Sequence, residues 1–138
     1  MGIQRTFLLV KPEAVERGFN CEIAARFEAR GFTLVNCLML DAPAQTAKQH
    51  CQLHGLSGSA LEGAVERLGD GPCVAYAWEA DNAVALALQM CGDEDPMRAA
   101  VGTIRGDLAL TATRNLVDVA RSADVAAREI ELWFGNEK

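Results

Sequence analysis

Few side chains in this sequence have the type and spacing to do chemistry. The two histidines, His50 and His54, stand four apart in one helical stretch with Cys51 between them. That spacing puts both rings on one helix face and can hold a metal ion. The sequence shows no third ligand beside them, so we read the pair as part of a surface helix. Glu129 is different. In the last helical stretch Val125, Ala126, Ile130 and Trp133 share a face, and Glu129 sits four residues from both Val125 and Trp133. It therefore points to the apolar side, where a lone carboxylate is costly unless paired. Lys11 and Arg105, taken alone, read as a solvated strand end and a loop arginine. The acidic run Asp93-Glu94-Asp95 offers oxygens for Ca²⁺, but we read a solvated loop, with Asp95 starting a turn before Pro96. No Walker loop, H-E-x-x-H, Ser-His-Asp order or basic-aromatic RNA motif occurs.

These groups belong to a chain of 138 residues, enough for one domain spanning 1–138 with a real core. Half the residues are hydrophobic and 23% are charged, a globular composition. The net charge of −6 argues against affinity for nucleic-acid backbone. No apolar run reaches membrane-spanning length, and the start Met1-Gly2-Ile3-Gln4-Arg5-Thr6 does not read as a signal peptide. Five scattered cysteines without C-x-x-C fit reduced thiols in a cytoplasm rather than a disulfide framework or structural zinc.

The elements that must position the chemistry follow from periodicity. Strands are expected at 6–11, 32–40, 73–79 and 115–119. Helices are expected at 20–30, 43–54, 59–68, 82–90 and 124–134. Asn20 can cap the first helix, and Gly31 can close it in the left-handed conformation. Residues 97–113 read as loop. The order β-α-β-α-α-β-α-loop-β-α predicts an α+β sandwich, its core close to the ferredoxin-like β-α-β-β-α-β pattern, with four antiparallel strands covered by helices.

Three stretches carry a resemblance: RTFLLVKPEAV at 5–15 with Arg17-Gly18, Gly102-Thr103-Ile104-Arg105-Gly106-Asp107 followed by Arg114-Asn115, and AREIELWF at 127–134. Gly71-Pro72 and Trp78-Glu79 fall at matching spacing between them. Together they resemble nucleoside diphosphate kinases over nearly the whole chain. The resemblance implies hexamers or tetramers. It also implies a ping-pong reaction in which a strand histidine takes the γ-phosphate of a nucleoside triphosphate and passes it to a diphosphate, with Mg²⁺ carried on the nucleotide.

Where that family has its histidine, this chain has Asp118, in Asn115-Leu116-Val117-Asp118-Val119-Ala120-Arg121. By the resemblance, Lys11 and Arg105 are the phosphate contacts, Asn115 holds the sugar hydroxyls, and Glu129 once oriented the histidine. The second phosphate arginine falls on Leu88, and a threonine near the phosphates on Glu94. The base clamp falls near Ala60, with Ala64 beside it, and a tyrosine becomes Cys51. Losing an aromatic stacking face alone removes about 1–3 kcal/mol. A carboxylate can accept phosphate, but that chemistry needs a metal or lysine beside it, and no added acidic cluster offers to hold Mg²⁺. Asp118 and Glu129 would repel, so Arg121 or Arg105 is expected to bridge them as an ion pair.

The expectation is a non-catalytic member of that family: a regulatory or interaction protein, homo-oligomeric or assembled with an active paralogue. Nucleotide binding would be weak, with no tightly bound cofactor, no resident metal, and Mg²⁺ only alongside a nucleotide. No nucleic-acid or membrane partner is expected. The alternatives are a phosphotransferase with altered chemistry, moving the γ-phosphate of ATP to a nucleoside diphosphate, and a module that reads a phosphorylated small molecule through Lys11 and Arg105.

Overall fold

The central strand explains the architecture. β1 (Ile3–Val10) carries Phe7, Leu8, Leu9 and Val10, all fully buried. Alternate side chains point to opposite faces, so a strand apolar at every position must be covered on both. A computed structural model describes residues 2–135 and shows that cover. β1 lies between β3 (Cys73–Asp81) and β4 (Val117–Val119), and β2 (Thr33–Leu40) pairs with the far side of β3. The sheet order is β2-β3-β1-β4, antiparallel throughout. On one face Leu8, Val10, Tyr76 and Trp78 pack with Ile23 and Phe27 of α2 (Asn20–Arg30) and with α5 (Ala83–Cys91). Trp78 stacks on Phe27 at 5.3 Å. On the other face Phe7, Leu9, Ala75 and Ala77 meet α3 (Ala44–Leu53), α4 (Gly58–Leu68) and α7 (Ala123–Phe134). Phe7 stacks on Trp133 at 6.0 Å. The expected four-stranded antiparallel α+β fold is the one observed.

Several local expectations need correction. Residues 12–16 form a helical turn, α1 (Pro12–Glu16), because proline at the first helical position loses no hydrogen bond there. Asn20 does not cap α2: it is the first helical residue, and its Oδ1 accepts the Tyr76 hydroxyl at 2.8 Å. Gly31 does close that helix, at φ 108°. The last strand starts at Val117 rather than 115, because Leu116 holds φ 81°, outside strand geometry. β1 reaches back to Ile3 because residues 3–5 pair with 79–81.

The stretch read as loop contains α6 (Ile104–Leu108). Thr103 caps it, its Oγ1 accepting from Gly106 N at 3.0 Å. A Cβ on Gly106 would lie 2.0 Å from the Ala100 carbonyl oxygen and 2.8 Å from Thr103 Oγ1. We expect Gly106→Ala to cost about 1–3 kcal/mol in a urea titration, since the obstruction is backbone and cap rather than a movable side-chain end. An unchanged midpoint would show that this turn yields freely.

Candidate functional site

β4 is an edge strand whose Val117 and Val119 are buried in one face of the sheet, so Asp118 between them points to the other. That face is where α3 and α7 pack. α3 turns Ala47, His50 and Cys51 inward on one stripe, and α7 does the same with Ala126, Glu129 and Trp133. The result is a chain of four polar groups at the bottom of a cleft. Asp118 Oδ2 lies 2.9 Å from His50 Nε2. Glu129 Oε2 lies 3.0 Å from His50 Nδ1 and 2.6 Å from His54 Nε2. His50 and Glu129 are fully buried, and Asp118 keeps about 24% of its side chain exposed. His50 is wedged between Phe7 and Trp133, at ring distances of 6.0 and 5.5 Å.

This overturns two readings of the sequence. His50 is not a surface residue; it is among the most buried polar groups described. The bridge between Asp118 and Glu129 is His50, not an arginine. Arg105 is committed elsewhere: it is 3% exposed and donates to the Gly92 and Val117 carbonyl oxygens at 2.8 and 2.7 Å. Arg121 donates to the His54 carbonyl oxygen at 2.6 Å and lies 3.8 Å from Glu94. The carbonyls freed at the end of α3 need a donor, and Arg121 supplies it.

The electrostatics follow from two carboxylates around one imidazole. Burial alone would pull His50 toward neutrality, but the hydrogen bonds and charges of Asp118 and Glu129 win and push it up to about 9. The Trp133 indole N–H also reaches His50 Nδ1, at 3.2 Å, which suits the neutral ring with its proton on Nε2. Two carboxylates within 3.0 Å outweigh one indole donor, so we take the charged form at neutral pH. Asp118 is held well below the usual carboxylate range: burial opposes this, but Lys11 and His50 prevail. Glu129 is lowered too, against its burial, by His50 and His54.

A cleft of about 750 Å³ opens above these groups. Lys11, Asn115, Arg105 and Asp118 line it, as do the altered positions Leu88, Glu94 and Arg121 and the small residues Ala60 and Ala64. Lys11 is hemmed in: its Nζ donates to Asn115 Oδ1 at 2.8 Å and lies 3.5 Å from Glu13 and 3.7 Å from Asp118. Leu116, held at its positive φ, donates its N–H to Glu13 at 3.2 Å and accepts from Lys11 N at 2.9 Å. His54, read from the sequence as part of a surface helix, lines the cleft, and so does Arg67, which the sequence reading did not single out. The stripe Ala47–His50/Cys51–His54 would have revealed the histidines' inward face. No comparable signal marks Arg67, which lies in the last turn of α4.

Fold and cleft together define a ferredoxin-like α+β protein with a polar cleft over the edge strand β4. The family model described as nucleoside diphosphate kinase matches residues 4–138. The nucleoside diphosphate kinase of Crocosphaera subtropica is 40% identical over 136 residues, covering 99% of this chain and 90% of that one. Among solved structures, the apo nucleoside diphosphate kinase from Encephalitozoon cuniculi superposes with a TM-score of 0.90 at 29% identity, over 96% of this chain and 90% of that one. A nucleoside diphosphate kinase family protein from Babesia bovis gives 0.90 at 33% identity, over 95% and 88%. This chain belongs to the nucleoside diphosphate kinase family.

Proposed function

We propose that this family member is a non-catalytic regulatory or interaction protein with at most weak nucleotide binding. The observation that carries this is the carboxylate of Asp118 on β4, ion-paired to Lys11 and His50 where the family's phosphohistidine would stand. An incoming phosphate meets that negative charge and Glu94 on the cleft wall. The lysine best placed to attract it is already engaged by Glu13, Asn115 and Asp118. Leu88 offers no charge, and Ala60 and Ala64 offer no stacking face. The exposed edge strand β2 supports assembly with further copies or with an active paralogue: Leu34, Val35, Leu38 and Met39 are each more than a third exposed. All five cysteines are free, which fits a cytoplasmic setting. Among the described residues no helix is long and apolar enough to cross a membrane.

A second reading is a phosphotransferase with altered chemistry. It is favoured by His54, which lines the cleft with its Nε2 held 2.6 Å from Glu129, the kind of carboxylate support that activates an imidazole.

Incubation with γ-labelled ATP and Mg²⁺ separates the two. The expected result is no labelled protein, no transfer to GDP, and ADP affinity at least about 100-fold below that of an active relative measured in parallel, from the loss of stacking and charge. Asp118→His alone should not restore turnover, because Leu88, Glu94 and Arg121 remain. An acid-labile label abolished by His54→Gln would establish the second reading. A hydroxylamine-sensitive label abolished by Asp118→Asn would identify Asp118 as the acceptor. Family-level turnover from Asp118→His would refute the claim that the pocket has decayed.

A further inference from the structure

The geometry points to a metal site in the floor of the cleft, in which His50, His54 and Asp118 ligate a divalent transition cation of the zinc class. Sequence spacing gave two imidazoles and no third ligand; the fold supplies it from 64 residues further along, Asp118. One donor atom from each of the three falls within 4.8 Å of the others. The ring centroids of His50 and His54 are 4.6 Å apart. Asp118 Oδ2 and His50 Nε2, at 2.9 Å, need part by only about half an ångström to take two tetrahedral positions on one ion about 2.0–2.1 Å from each. Two imidazoles and one carboxylate form a set that suits zinc or its neighbours and not Mg²⁺ or Ca²⁺, which prefer oxygen.

The surroundings add a second observation. Glu129 is wholly buried against both histidines, and its Oε1 has no hydrogen-bond partner among the described residues. A buried carboxylate behind ligating imidazoles fixes their orientation and strengthens them as donors. Coordination displaces the proton that His50 holds in the metal-free protein; the two negative charges of Asp118 and Glu129 are then answered by the divalent cation in its place. Lys11, 3.7 Å from Asp118, opposes the cation and must swing toward Glu13 and Asn115. Asp118 and His54 both line the cleft, so the remaining coordination position opens onto it.

The test uses the full chain stripped with a chelator, then titrated with Zn²⁺ by calorimetry and with Co²⁺ by visible absorption. We expect one equivalent per chain and a Co²⁺ spectrum of a nitrogen–oxygen site. Asp118→Asn and His54→Gln should each weaken binding by at least about 10-fold, and Glu129→Gln by about 10–100-fold while leaving stoichiometry at one. Circular dichroism checks that each variant is folded, and Asp118→Asn, altering a partly exposed group, is the variant least exposed to misfolding. The site is refuted if Zn²⁺ binds no tighter than about 0.1 mM, a free energy of only about −5 kcal/mol. It is equally refuted if Asp118→Asn binds as the parent does, or if Co²⁺ gives the intense near-ultraviolet band of a thiolate ligand, which would place the ion on a cysteine.

Discussion

Replacing His50 by alanine should cost about 3–5 kcal/mol of folding stability at pH 7, more than any other single side chain of the cleft. Three losses coincide. Asp118 and Glu129 lose the group between them, at 2.9 and 3.0 Å, and are left as two like charges with no cation between them. Trp133 loses its edge-to-face ring partner, at a centroid distance of 5.5 Å. The ring's volume leaves a void against Phe7 and Trp133. The measurement is a urea titration of His50→Ala, Glu129→Ala and the pair together. If the bridge is the cause, the double variant should be less unstable than the two single losses added, because removing Glu129 relieves the repulsion that removing His50 creates. A cost below about 1 kcal/mol, as expected of a surface histidine, would contradict the described environment. So would strict additivity.

This is also the residue that separates what the sequence shows from what it hides. α2 was readable to its ends because Ile23 and Phe27 mark one face and Gly31 forces the stop. β3 was readable because its run from Cys73 is apolar and ends in a turn. α1 and α6 were not: each has five residues, less than two turns, so no period can register, and their existence rests on Pro12 and on the Thr103 cap. The cleft was legible in part. Lys11, Arg105, Asn115 and Asp118 were named from motifs, and the fold gathers them around one opening. What they touch there was not legible. Arg121 serves the His54 carbonyl because α3 ends beside it, and His50 meets partners 68 and 79 residues away. Such neighbours are set by helix docking on the sheet, which local pattern does not encode. His50 was discounted because a histidine on a helix reads as polar, although Ala47 and Cys51 beside it pointed inward.

The same triad should write itself into the pH dependence of stability. In metal-free buffer, folded His50 holds its proton up to about 9, against 6.5 for an ordinary imidazole. A folded value above the unfolded one means the native state binds more protons in that window, so stability falls as pH rises. The contribution is complete below pH 6.5 and gone by about pH 9. The difference corresponds to about 3 kcal/mol. The acid side has the opposite sign. Asp118 and Glu129 are held below their ordinary values, so their contribution is present above pH 3.8 to 4.5 and is lost as pH falls through their folded values. Maximum stability should therefore lie near pH 5 to 6.5. The buried thiols Cys51, Cys73 and Cys91, pushed by burial to about 11, about 12 and about 12, add a further decline only above about pH 9. A series of urea titrations between pH 6.5 and 8.5 thus isolates the imidazole. The parent chain should lose about 2–3 kcal/mol across that range. His50→Gln, less stable at every pH, should show a nearly flat line. A parent protein with no slope there would mean that His50 is neutral, with Trp133 rather than Glu129 setting the state of its Nδ1.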